Sequence, residues 1–218
     1  MIRDSRVQDY LERLRPERDE LLAEMEALAR LERIPIVEWE TGRLLATLVR
    51  ALRPRLVLEV GTAIGCSTLH MARELDAAGR IVTLERDPER IAQARAFWAR
   101  GGVQDRIELV EGDALASIAA LDGPFDLVFL DATKTEIDAY LAALTGRLTE
   151  RCLLVVDKLL RSGEAALAEG LDTAWSDEAL AAARRTTRAL MASEEWLFSL
   201  LPVGDGVGVG ARRGTVVS

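Results

Sequence analysis

Asparagine is absent from this 218-residue chain, lysine occurs only at 134 and 158, and histidine only at 70. The missing asparagine removes one neutral oxygen donor from any metal site the chain could build. Arginine supplies 26 of the 28 basic residues, so the two lysines stand apart. Lysine can be neutralised by its surroundings and arginine effectively cannot, so a retained lysine points to proton chemistry. His70 sits inside a helical pattern and reads as a packed or surface residue rather than a catalyst. The only cysteines are Cys66 and Cys152. They lack metal-site spacing, and two buried thiols are expected rather than a disulfide. No apolar run approaches the length of a membrane span, and Met1–Arg15 is charged throughout rather than signal-like. The expectation is a cytoplasmic protein with no membrane partner. Positive charge is also in deficit, with 28 basic against 36 acidic residues and a net charge of −8. That argues against a large nucleic-acid footprint, although Arg184, Arg185 and Arg188 share one helix.

What is present is a globular composition, 49% hydrophobic and 29% charged, in a chain long enough for one good core. One domain over 1–218 is expected, with a helical cap over 1–52, a sheet core over 53–213 and a loose tail over 214–218. Val7–Arg33 carries an apolar stripe at helical spacing that Pro16 divides into two helices. Ile34–Val37 is an extended connection, and Glu40–Leu52 resumes helical periodicity. From Leu56 onwards short apolar runs alternate with helical patterns. Strands are expected at Leu56–Val60, Ile81–Leu84, Ile107–Val110, Phe125–Leu130 and Cys152–Val156. Helices are expected at Cys66–Leu75, Pro88–Arg100, a short stretch after Ala114, and near Glu136–Leu148. This series predicts a doubly wound α/β sheet with ligands at the strand carboxyl ends. Ser162–Trp175 is irregular, Asp177–Ala192 is helical, and Glu195–Leu201 and Val207–Ala211 form an antiparallel hairpin. Together they make seven strands.

The organising stretch is Leu56–Ser67, where a buried strand stops at Gly61 and Gly65 precedes a helix. Such a turn presents free backbone N–H groups to a nucleotide-like ligand. Glycines also close ordinary βα turns, so the motif alone is not specific. Carboxylates recur where apolar runs end: Glu59, Glu85, Asp113, Asp131 and Asp157. A carboxylate there has no packing value and costs desolvation unless paired. Asp113 also fits a helix cap. Glu85, about 24 residues after Gly61, suits the two hydroxyls of a ribose. Trp98 and Trp196 read as packing, and Trp39 or Trp175 as candidates to line an acceptor pocket.

Three stretches carry a resemblance: Leu58–Ser67, the run from Arg106-Ile107 to Gly112-Asp113-Ala114, and Phe125–Lys134. With the Glu85 strand end and Leu201–Gly206, they resemble class I S-adenosylmethionine-dependent O-methyltransferases of the catechol and caffeoyl-CoA type. The resemblance runs over nearly the whole chain from Pro35. It implies S-adenosylmethionine as cofactor, a small-molecule hydroxyl acceptor, most simply phenolic, and a homodimer. It implies that Glu59, Gly61 and Ser67 surround the methionine part of the cofactor. Glu85 would bind ribose, Asp113 with Ala114 would meet adenine, and Asp131 would lie near the sulfonium. Lys134 matches the family lysine that deprotonates the acceptor. Asp131 and Asp157 match metal ligands, but the family's Asp-Asn after strand five is here Asp157-Lys158, and its Asp-Ala-Asp-Lys is Asp131-Ala132-Thr133-Lys134. A protonated ammonium cannot coordinate a metal, so a divalent ion such as magnesium is left open. The expectation is that Lys158 assumes part of the cation's role and holds the acceptor oxygen. The alternative is that it swings outward and water completes a metal site. Other readings are a tRNA hydroxyuridine methyltransferase and a non-catalytic cofactor-binding protein. An NAD-dependent dehydrogenase ranks last, because the Gly-x-Gly-x-x-Gly spacing is missing.

Overall fold

The computed structural model describes residues 5–17, 19–167 and 173–214. Seven strands form one sheet: Leu56–Val60 (β1), Arg80–Glu85 (β2), Ile107–Glu111 (β3), Phe125–Leu130 (β4), Leu148–Val156 (β5), Trp196–Leu201 (β6) and Val207–Arg212 (β7). Their order is β3-β2-β1-β4-β5-β7-β6. The first five are parallel, and β7 inserts between β5 and β6, antiparallel to both. The expected doubly wound sheet with a terminal hairpin is the observed one.

Successive side chains of a strand point to opposite faces, and helices cover both faces here, so β1 and β4 are apolar almost throughout. On one face Val57, Phe129 and Val155 pack with Leu45, Leu69 and Trp98. On the other, Leu58, Val60 and Leu130 pack with Ile118, Ile137 and Leu190. The first face carries Glu20–Glu32 (α2), Trp39–Leu52 (α3), Cys66–Ala72 (α4) and Pro88–Arg100 (α5), preceded by Ser5–Arg13 (α1). The second carries Ala114–Ala120 (α6), Ile137–Ala143 (α7) and Asp177–Met191 (α8). The caps agree with the sequence. Asp19 accepts the Leu22 N–H at 2.8 Å ahead of α2, and Asp87 caps α5, whose first residue is Pro88.

Three expected boundaries need correction. The helix expected near Glu136–Leu148 ends at Ala143, and β5 begins at Leu148, four residues before Cys152. Gly146 has φ +77, and the Arg147 carbonyl accepts from Phe125 N–H at 2.8 Å, which starts the pairing with β4. Thr149, Glu150 and Arg151 lie in this part of the strand, where the register shifts between Phe125 and Leu127, so no apolar alternation marks it. The helix expected to reach Leu75 stops at Ala72. Arg106 donates to the carbonyls of Ala72 and Leu75 and satisfies that end. Residues 168–172 of the expected irregular loop, and 215–218 of the expected tail, lie outside the described residues.

Candidate active site

The carboxyl ends of β1, β2 and β4 line a cleft holding about 750 Å³ of empty space including its open mouth. Gly61 makes it possible. Its φ is +99, and a Cβ there would lie 2.7 Å from the Asp131 carbonyl oxygen, so only glycine lets β1 and β4 close up at this point. The Gly61 N–H donates to Leu84 O at 3.1 Å, and Asp131 N–H donates to Val60 O at 2.9 Å.

Glu85 is held by three backbone donors: Ala63 N–H at 2.9 Å on one oxygen, Arg86 and Asp87 N–H at 2.9 and 3.1 Å on the other. A carboxylate fixed this way keeps lone pairs for ligand hydroxyls in the cleft it lines. Asp113 lines the same cleft and also caps α6 through Ala116 N–H at 3.0 Å. Ala114 lies beside it. Tyr140, which sequence reasoning passed over, adds a ring to this wall and donates to Glu136.

At the other end of the cleft is a buried charge cluster. Adjacent registers of β4 and β5 bring Asp131 and Asp157 together, since Leu130 pairs with Val156. The Lys158 ammonium bridges them, donating to both oxygens of Asp131 at 2.8 and 2.6 Å and lying 3.5 Å from Asp157 Oδ2. Lys134 Nζ lies 3.4 Å from Asp131 Oδ1, with a side chain only 2% exposed. Burial pulls the Lys134 ammonium below its usual pKa, against Asp131 and with help from Lys158. For Lys158 burial pulls downward, but Asp131 and Asp157 together push its pKa up. Burial and then Asp131 raise the Asp157 carboxyl.

Two functional-looking residues of this end were not singled out from sequence. Arg161 is 7% exposed, lies 4.0 Å over the Trp175 ring, and its Nε has no hydrogen-bond partner. Asp205, in the terminal hairpin turn, accepts from both Ser162 N–H and Oγ at 2.8 and 2.9 Å, while its carbonyl accepts from Leu160 N–H at 3.0 Å. The hairpin thereby clamps the segment that carries Lys158. The Gly204-Asp205-Gly206 turn was the available signal.

Glu59 and Ser67 are not brought to the cleft wall. Glu59 is fully buried and accepts from the hydroxyls of Ser67, Thr68 and Thr83 at 2.5–2.6 Å. Burial pushes its carboxyl up to about 7, against those three hydrogen bonds. His70 packs against Gly42 on α3, away from the strand ends, and burial with Arg73 lowers it to about 4. Trp98 donates to Gly65 O at 3.1 Å and is a packing residue, as is Trp196. Trp39 lines a separate charged groove near α1 and α2, which shares only Pro35 with the cleft.

These residues fit S-adenosylmethionine: the glycine cradle and the Glu85 carboxylate match a nucleoside ligand. They do not fit a divalent metal. Among the described residues no three carboxylate, histidine or cysteine side chains converge as ligands. The Asp131–Asp157 pair already holds an ammonium.

Five parallel strands, a reversed seventh strand and a cleft at the switch between β1 and β4 define the class I methyltransferase fold. Over residues 14–213 the chain matches the O-methyltransferase family, and it belongs to that family. It is 42% identical over 164 residues to a catechol O-methyltransferase of Mycobacterium tuberculosis, covering 75% of this chain and 71% of that protein. A solved methyltransferase from Geobacter sulfurreducens has TM-score 0.83 and 31% identity, over 97% of this chain and 100% of its own. An O-methyltransferase from Bacillus cereus, solved in complex with SAH, has TM-score 0.81 and 27% identity, over 95% and 97%.

Proposed function

We propose that this chain transfers a methyl group from S-adenosylmethionine to the hydroxyl of a small phenolic acceptor. The observation that carries this reading is a buried lysine, Lys134, 3.4 Å behind Asp131, which itself lines the cleft that Glu85 and Gly61 share. When bound, S-adenosylmethionine would supply a methyl group activated by its sulfonium sulfur, which would leave with the C–S bonding pair as the acceptor oxygen takes the methyl carbon. Glu85 would accept from the ribose hydroxyls, and Asp113 with Ala114 would meet the adenine end. Gly61 would admit the chain of the cofactor, and Asp131 would lie on its sulfonium side. Glu59 and Ser67 support the turn from behind, Glu59 by tying β1 to α4 and β2. Lys134 in its neutral form takes the acceptor's proton, which burial favours.

The test is transfer of a labelled methyl group to a panel of catechols, hydroxybenzoates and tRNA. Label should appear on a phenol, with turnover rising with pH through a midpoint below lysine's ordinary 10.5. Lys134→Arg should lower turnover by about 10²-fold or more while leaving cofactor affinity within about twofold, since a positioned base contributes about 10²–10⁴-fold. Label on tRNA alone would replace the acceptor, and label on nothing would defeat the reading. The tRNA alternative is weakened by its own arginines. Arg184 donates to the carbonyls of Ala165 and Leu167, and Arg185 lies 3.6 Å from Asp138.

Homodimerisation and a cytoplasmic location belong to the same proposal. Val7, Tyr10, Leu14 and Leu31 leave apolar side chains exposed on and beside α1 and α2. Cys66 and Cys152 are buried free thiols, as a reducing compartment would keep them. No described helix is long and apolar enough to cross a membrane.

A further inference from the structure

The Lys158 ammonium has three protons, and the structure accounts for two of them. They lie on Asp131 Oδ1 and Oδ2 at 2.8 and 2.6 Å. The nearest Asp157 oxygen is 3.5 Å away, at the limit of a hydrogen bond. Lys158 also lines the cleft, so an incoming oxygen can take the third donor from its long contact with Asp157. The remaining Asp157 oxygen, Oδ1, is buried without any hydrogen-bond partner.

Two cations already face this pair. Lys158 lies against Asp131 and Asp157, and the Arg161 charge interacts first with Asp205 and then with both carboxylates. Among the described residues Arg161 has no carboxylate within ion-pair distance. A divalent ion added here would have to displace the Lys158 ammonium or lie against it, and like charges that close repel strongly in low-dielectric surroundings. The backbone points the same way. Lys158 has φ +57, a left-handed conformation uncommon for a long side chain and more readily taken by Gly, Asn or Asp. The Asp205 clamp on Leu160 and Ser162 fixes the segment just beyond it.

We propose that the Lys158 side chain is a built-in substitute for a divalent cation. Its ammonium neutralises Asp131, presents one donor to the acceptor oxygen, and keeps metal out of the Asp131–Asp157 pair. The inference rests on the methyl-transfer reading for what the ammonium does, but not for what it excludes. No covalent step is added: the positive charge stabilises the developing phenolate while Lys134 takes the proton.

Manganese titration followed by paramagnetic resonance, on the protein bound to S-adenosylhomocysteine, tests the exclusion without turnover. The unmutated protein should leave manganese free through the millimolar range. Lys158→Asn should bind one ion per chain at least tenfold more tightly, because Asp131 is released and Asp157 Oδ1 gains a use. Methyl transfer by the unmutated protein should stay within about twofold after exhaustive chelation. Stoichiometric manganese binding by the unmutated protein, or chelator-sensitive activity restored by magnesium, would overturn the proposal. So would a Lys158→Asn protein that retains S-adenosylhomocysteine binding but takes no manganese. If Lys158→Asn does not fold, the two measurements on the unmutated protein decide. A protein inactive on every acceptor would defeat the methyl-transfer reading and leave the manganese result standing.

Discussion

Lys134, Lys158, Glu59 and His70 show how burial sorts titratable residues into roles. The two lysines share Asp131 yet are pushed in opposite directions, Lys134 down and Lys158 up, because only Lys158 has close contacts to both carboxylates. A lysine whose charge burial disfavours and one whose charge two carboxylates favour therefore lie side by side. Glu59 and His70 act on stability instead. The Glu59 carboxyl rises from 4.5 to about 7 on folding, chiefly through burial, so between those values the folded state holds a proton that the unfolded chain has lost. Its contribution thus declines as pH rises, by about 3 kcal/mol over the window. His70 falls from 6.5 to about 4, so the unfolded chain binds more protons there and stability rises with pH. The two slopes oppose each other. Glu59→Gln removes only the first, so the variant should gain about 3 kcal/mol on the unmutated protein between pH 4.5 and 7.5. Urea unfolding of both proteins at several pH values measures this. A difference that does not change with pH would show that Glu59 does not titrate there.

The element that organises the site is the turn from β1 to α4. Gly61 sits against the Asp131 carbonyl, and Gly65 sits against the Trp98 indole at distances no Cβ could occupy. The first of these contacts sets the separation between β1 and β4, hence the position of Asp131 and everything bonded to it. Gly61→Ala should cost about 1–3 kcal/mol of stability from the left-handed φ alone. It should also weaken S-adenosylhomocysteine binding by tenfold or more, because the Cβ would press on the Asp131 carbonyl and shift the cleft wall that Asp131 and Ala132 form. Thermal unfolding and calorimetry on one preparation check both, and unchanged affinity would place the cofactor elsewhere. The β6–β7 hairpin is the second organising element. Its turn accepts from Leu159, Leu160 and Ser162, so a terminal hairpin remote in sequence positions Lys158.

At the scale of the whole molecule, the N-terminal helices leave Val7, Tyr10 and Leu14 exposed on one side, at spacings of three and four residues. Light scattering should give a mass near twice 23.9 kDa, reduced towards the monomer by Tyr10→Asp with Leu14→Glu. A monomer at tens of micromolar would refute the dimer. Most of the architecture was legible in the chain, because buried parallel strands are locally apolar and helix ends carry their own signals, as Asp19, Asp87 and Pro88 do. The start of β5 was not legible, since Thr149, Glu150 and Arg151 are held in a strand by pairing with distant residues rather than by their own pattern. Glu85, Asp113, Asp131, Asp157 and the two lysines could be picked out as carboxylates and rare cations at strand ends. Their partners could not. The sequence by itself determined the order of elements, the family, and the presence of Lys158 after Asp157. Only the tertiary structure decided that Glu59 turns to three hydroxyls inside the fold, and that Arg161 joins the charge cluster. It also decided that Lys158 reaches Asp131 across two strands. Those outcomes depend on register and on contacts between residues tens of positions apart, and no local pattern encodes such distances.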